Sequence, residues 1–270
     1  HYKCQSNVSQ KYKHIIYNIK RNKWLSMLKQ IEGFVVQEIP YKETSKIINV
    51  LTKEYGIIGI ICKGAKSIKN VNRALTTKYT YGFFNVYFKE NKLSTLVSVD
   101  LINDLSNIKT DLTLLSYTTY ITELITQVVK QGFYEEIYDI FIATVLKINN
   151  KLDPLILTNI LEIKMLDYLG VSLNLNSCNK CGNKTNIVTI DGDVGGYVCK
   201  NCLTNEIIVK PSTIKMLRMY YYVDIKTISD LKISSTTKNE INNFLSRYYD
   251  RYTGLYLKSK NFLDQILKLA

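Results

Sequence analysis

Histidine is almost missing from this chain. Two occur in 270 residues, His1 and His14, and both fall within the first 26, as does the single tryptophan, Trp24. From Met27 onward no imidazole is present to act as a base near neutral pH, which excludes Ser-His and Cys-His nucleophilic mechanisms there. Proline is scarce, at three residues. No apolar run approaches the ~18 residues that a membrane span needs. No short apolar segment is followed by a small-residue cleavage site. A soluble, cytoplasmic chain with no membrane partner is therefore expected. Acidic side chains are missing from one internal stretch: none lies between Glu54 and Glu90.

What is present is a large apolar content, 46%, enough for a real core. The net charge of +13 suggests a polyanionic partner. A nucleotide-biased coding sequence would also enrich Lys, Asn, Ile and Tyr, so position carries more meaning than the total. The charge is +6 over residues 1–26, +4 over 27–105, −3 over 106–176, zero over 177–206 and +6 over 207–270. The C-terminal excess fits a second nucleic-acid surface, a docking site for an acidic peptide, or solvated helix faces.

Residues 1–26 carry six cations, no acid and no sustained period. They read as a basic leader outside the fold, disordered or not native, with Met27 as the true start. The competing reading is a basic arm that touches nucleic acid.

From Ile31 the pattern is β. Strands are expected at 31–39 (ended by Pro40), 45–53, 56–62, 81–89 and 93–102. The third is apolar on both faces, as a strand between a barrel interior and a covering element should be. Five short strands, with a longer connection before the last two, predict an OB-fold barrel over 27–105. After Asp111 the period becomes helical. Helices are expected at 111–132, 133–149, 153–170 with Asp153 as N-cap, and from Pro211 to about Tyr222. A further helix is expected to start at a capping box, Thr237 to Glu240, and a last one to be capped by Ser259. The fold class is thus α+β: a five-stranded barrel, then a helical domain over 106–270 with a cysteine module inserted at 177–203.

That module pairs Cys178-x2-Cys181 with Cys199-x2-Cys202, seventeen residues apart. Each CxxC turn aims two sulfurs at one ion, and two such turns complete a tetrahedron. One structural zinc is expected, since four thiolates leave no open position for substrate. A disulfide framework suits an oxidising compartment, and a redox CxxC would not come doubled. Cys62 is expected to be an inert strand residue. Asp191-Gly192-Asp193 is expected to be a turn in the module's hairpin.

GIIGIICKGAKSIKN, residues 56–70, superficially resembles a phosphate-binding loop of a nucleotidase. That loop requires G-x-x-x-x-G-K-[ST]. Gly59 and Gly64 have the right gap, but Ala65 occupies the lysine position and Lys66-Ser67 follow one residue late, which misplaces both the cation and the Mg²⁺ hydroxyl. The acid-free span fits another phosphate partner better. Lys63, Lys66, Lys69, Arg73 and Lys78, with Lys46 from the second strand, are expected to track a DNA backbone. Tyr79, Tyr81, Phe83 and Phe84 stand nearby, either stacking on bases or serving as core; for at least one of the two strand faces, core is expected.

The ordered motifs resemble the RecO family of bacterial recombination mediators. They are Tyr41-Lys42-Glu43-Thr44-Ser45-Lys46-Ile47, Leu51-Thr52-Lys53-Glu54-Tyr55-Gly56, Lys63-Gly64-Ala65-Lys66, the two CxxC pairs with Gly182 and Gly195-Gly196, and Gly254 to Ser259 with Phe262-Leu263. Lys42 stands where a glycine is expected, and Leu75-Thr76-Thr77 where Leu-x-Pro is expected. The resemblance spans about 27–265. It implies a non-enzymatic, nucleoid-associated DNA repair and recombination protein that binds single- and double-stranded DNA and anneals complementary strands. It further implies work with RecR and RecF, engagement of the acidic tail of single-stranded DNA-binding protein, and help in loading RecA. The rival reading is a zinc-ribbon accessory protein or enzyme of nucleic-acid metabolism, for which Asp191 and Asp193 are the nearest acidic candidates.

Overall fold

The computed structural model describes residues 27–269. The leader expected over 1–26 lies outside the described residues. Five strands close into a barrel: β1 (Met27–Tyr41), β2 (Ser45–Thr52), β3 (Gly56–Cys62), β4 (Tyr81–Phe88) and β5 (Ser94–Asn103). Their order around the barrel is β1-β2-β3-β5-β4, with β1 pairing both β2 and β4. A short parallel contact between β3 and β5, at Ile60–Ser94 and Ile61–Thr95, shuts the last gap. This is the expected five-stranded OB arrangement. One strand can serve two neighbours because β1 is long and is bulged between Val35 and Gln37. It also runs through Pro40, which was expected to end it. Past Phe34, β4 no longer pairs with β1, so proline's missing N–H is tolerated on a one-sided stretch.

Strand alternation builds two cores. Ile31, Val35, Ile48, Val50, Ile60, Phe84, Val86 and Val99 fill the barrel. Phe34, Leu51, Tyr79 and Tyr81 point the other way and join the helical core without a break. The third strand serves both, with Ile58 packed on the barrel interior and Ile57 on the helices. Glu32 reinforces the seam, accepting from Tyr81 Oη at 2.7 Å and from Tyr138 Oη at 3.1 Å. Lys53 crosses the same seam to Asp139 at 3.0 Å.

The connection from β3 to β4 holds one short helix, α1 (Asn72–Leu75). The helical part then comprises α2 (Ser106–Thr110), α3 (Leu112–Gln131), α4 (Glu135–Asn149), α5 (Pro154–Tyr168), α6 (Pro211–Tyr222), α7 (Ser235–Tyr252) and α8 (Lys258–Leu269). Asp111 and Asp153 cap α3 and α5, each accepting two backbone N–H bonds. Helix α5 is buried nearly all round, so it forms the centre of the bundle.

Two caps differ from expectation. Helix α7 begins at Ser235 with Ser234 as its cap, three residues before the expected Thr237. Thr237 is buried, and Glu240 accepts from the Thr213 hydroxyl instead of closing a capping box. Ser259 does not cap α8 either. The start of α8 is held from α3: Glu123 accepts from the backbone N–H of Lys258 at 3.2 Å and of Ser259 at 2.8 Å, and from the Ser259 hydroxyl. A carboxylate at a helix start complements the helix dipole wherever in the chain it comes from.

One buried acid sets a pH dependence. Glu162 on α5 is buried and accepts from Tyr120 Oη at 2.5 Å, while its Oε2 has no partner among the described residues. Burial pushes its carboxyl up to about 7, against the lowering effect of the Tyr120 hydroxyl. An unfolded glutamate ionises near 4.5. Between those pH values the folded chain keeps a proton that the unfolded chain has released, so stability falls as pH rises. The loss totals about 3 kcal/mol, at 1.36 kcal/mol per pKa unit. Glu162→Gln cannot ionise, so its melting temperature should gain on the natural chain as pH goes from 5 to 8. A gap that stays constant across that range would show that Glu162 does not titrate there.

Candidate functional site

The acid-free segment leaves the barrel after β3 and is fastened at every turn. Its first requirement is a left-handed residue, met by Gly64 at φ 66°. Gly64 N donates to Ser45 Oγ at 3.3 Å, and Lys66 N to Thr44 O at 2.9 Å. Three successive turns follow, with N–H bonds from Ser67 to Gly64 O, from Asn70 to Ser67 O and from Arg73 to Asn70 O, all 3.0–3.1 Å. Asn70 Nδ2 reaches back to Lys63 O, and Asn72 Nδ2 pins the loop to Val97 O on β5, both at 3.3 Å. Ala65 plugs the barrel core at 1% exposure. A lysine could not serve a nucleotide from that position, which reinforces the exclusion of a Walker-type loop.

The expected DNA cations divide. Lys63, Lys66, Lys69 and Arg73 are exposed on this loop. Lys66 Nζ also donates to Lys42 O at 2.8 Å, leaving its charge at the surface. Lys78 is half-buried, with Nζ 4.8 Å from the Tyr79 ring centre. Lys46 is a correction. It is 4% exposed, and its Nζ donates to Glu38 at 2.8 Å and to Arg73 O at 3.4 Å. A cation so enclosed and paired fixes the base of the loop and does not present itself to a phosphate. The aromatics divide too. Tyr79, Tyr81 and Phe84 are core, and only Phe83 is partly open. Lys42, standing where a glycine was expected, adopts φ 50°, the left-handed conformation that explains why glycine suits the position.

Sequence reasoning passed over two side chains on this loop. Ile68 and Val71 are 86% and 82% exposed, flanked by the cations. A charge count does not register them, and only the turn geometry reveals them.

The cysteine module is a two-stranded hairpin, β6 (Ile187–Asp191) and β7 (Gly196–Cys199), preceded by the first CxxC turn and followed by the second. Asp191 Oδ1 accepts from Asp193 N and Val194 N, so the acidic pair is a turn, as expected, and not a metal-holding cluster. Gly192 lies so close to α7 that an added Cβ would meet Arg247 Cβ at 2.5 Å and Phe244 O at 2.8 Å. The four sulfurs of Cys178, Cys181, Cys199 and Cys202 lie within 4.8 Å of one another, with Cys181 and Cys199 at 3.7 Å. A tetrahedron with metal–sulfur bonds of about 2.3 Å has edges of about 3.8 Å, so the set fits one zinc ion. Burial works against a Cys178 thiolate, but the amides of Cys199, Lys180 and Cys181 outweigh it and bring the thiol down to about 6. Hydrogen bonding with Cys181 pushes the Cys202 thiol the other way, up to about 12, so the amides favour the thiolate at Cys178 and not at Cys202. Cys62, by contrast, is buried in the barrel, which pushes its thiol up to about 12, as suits an inert residue.

Among the described residues no helix is long and apolar enough to cross a membrane. Two family models match the chain: "Recombination protein O N terminal" over residues 27–105 and "Recombination protein O C terminal" over 109–261. Among curated proteins, the DNA repair protein RecO of Bacillus subtilis (strain 168) is 33% identical over 246 residues, covering 89% of this chain and 95% of its own length. Those of Listeria monocytogenes serotype 4b (strain F2365) and Halalkalibacterium halodurans are each 31% identical, over 89% of this chain and 96% of theirs. Matched by both family models along its length, and by relatives at 31–33% identity over 89% of its residues, the chain belongs to the RecO family.

Proposed function

We propose that this chain is a DNA-binding mediator of repair and recombination that works by binding and not by chemical turnover. The observation that supports this best is the fastened loop at the barrel rim, which sets four exposed cations where no acid lies between Glu54 and Glu90. A pre-ordered cationic loop lowers the entropy cost of engaging phosphates. Cations that neutralise backbone phosphates also relieve the repulsion between two strands while leaving base edges free to pair. Binding of single- and double-stranded DNA and annealing of complements follow from that reading. Zinc at Cys178, Cys181, Cys199 and Cys202 holds the hairpin and takes no part in chemistry. Family membership supports RecR as a partner, with RecF, RecA and the acidic tail of single-stranded DNA-binding protein as further ones. A cytoplasmic, nucleoid-associated location goes with those partners.

The experiment is annealing of complementary strands coated with the cognate single-stranded DNA-binding protein, with and without that protein's acidic tail. Acceleration that depends on the tail is expected. Failure to anneal even naked strands would sink the annealing reading, and nucleotide hydrolysis that survives stringent purification would replace the mediator with an enzyme.

A further inference from the structure

Ile68 and Val71 are hard to explain as loop packing. Each occupies the second position of a hydrogen-bonded turn, Ser67–Asn70 and Asn70–Arg73, where the chain reverses and the side chain is thrown outward. Single exposed apolar residues are ordinary. Two of them, three residues apart on a loop whose other exposed residues are Lys, Arg and Ser, are less so. The loop is not a slack connection, because buried Lys46, Ser45 and the Asn70 and Asn72 amides hold it. The two side chains are thus held out at fixed positions, with Lys66 and Lys69 beside them.

We propose that Ile68 and Val71 form an apolar wedge that inserts between adjacent bases of a single DNA strand whose phosphates lie on the flanking cations. The inference rests on the loop's being the DNA contact and adds what the loop does to the bases. Apolar side chains of this kind unstack neighbouring bases when cations position the backbone alongside. A strand whose stacking and self-pairing are interrupted is better prepared to meet its complement. Anionic lipid would also accept a cationic loop with an apolar tip. The short reach of two β-branched side chains, held three residues apart on a fastened loop, favours a base step over a bilayer.

The test uses the full chain and an oligonucleotide with 2-aminopurine at internal positions, whose fluorescence rises on unstacking. The natural chain should raise the signal. The double variant Ile68→Ser, Val71→Ser should lose that rise and bind up to about tenfold more weakly, with its salt dependence unchanged. The serines remove no core contact, so folding is not at issue, and an unchanged melting curve checks it. A second variant, Lys63→Ala, Lys66→Ala, Lys69→Ala, separates the two levels. If it loses binding while the double serine variant keeps both the signal and the affinity, the wedge is wrong and the loop still binds DNA. If it binds as the natural chain does, the loop is not the contact and the wedge falls with it. Sedimentation with phosphatidylglycerol vesicles completes the set: dependence on Ile68 and Val71 there, with the DNA signal intact, would assign the pair to lipid and overturn the proposal.

Discussion

Cys178→Ser will emerge from purification without stoichiometric zinc and with a collapsed hairpin. Cys178 is the best buried ligand of the first CxxC turn, and its sulfur accepts from Cys199 N at 3.4 Å. It therefore ties the two turns together even before a metal is counted. Structural zinc sites of this kind contribute on the order of 10 kcal/mol of binding free energy at neutral pH, more than a hairpin of this size recovers by itself. The damage should spread. Ile190 and Tyr197 belong to the large core, Gly192 lies against the α7 backbone, and Tyr252 Oη donates to Asp193 O at 2.8 Å. A melting curve that drops for the whole helical part, along with metal analysis showing loss of zinc, is the expected pair of results. Zinc retained at full stoichiometry in the variant would refute the four-thiolate assignment.

Lys63→Ala, Lys66→Ala, Lys69→Ala should cost single-strand affinity steeply at low salt and little at high salt. Each phosphate neutralised on a single strand contributes about 0.7 to the slope of log K against log salt, so three lost contacts flatten it by about 2. The three side chains are exposed and lie on a loop held by backbone, Ser and Asn bonds, so their removal leaves the fold standing. Lys66 adds one bond, to Lys42 O, and its loss is confined to the rim. Titration at several salt concentrations measures the slope directly. An unchanged slope would move the DNA contact elsewhere, with the +6 of residues 207–270 as the next surface to probe.

Much of this arrangement is legible in the order of the residues. The short β-rich runs between turn signals gave the five strands, and the CxxC spacing gave the cluster of four cysteines, because both signals are local. What escaped was non-local. Lys46 counts as a cation in sequence, but pairing β1 with β2 sets Glu38 opposite Ile48 and brings its carboxylate to Lys46 Nζ. Ser259 has the residue type of a cap, yet the cap comes from Glu123, 136 residues earlier. Thr237 to Glu240 has capping-box spacing, but a start at Ser235 buries Thr237 and turns Glu240 toward Thr213. Tyr79 and Tyr81 could have been stacking platforms, and the helical core claimed them. In each case the residue type was legible and its partner was not.

The continuous core across the seam bears on modularity. The two family models divide the chain between residues 105 and 109, which invites treating the halves as separable cassettes. Phe34, Leu51, Tyr79 and Tyr81 argue otherwise, since they spend their apolar surface on helices beyond that border. A continuous apolar seam ties the barrel to the helices at this face. Whatever grips the helical half sets the bearing of the cationic loop as well, much as a handle sets the direction of a blade.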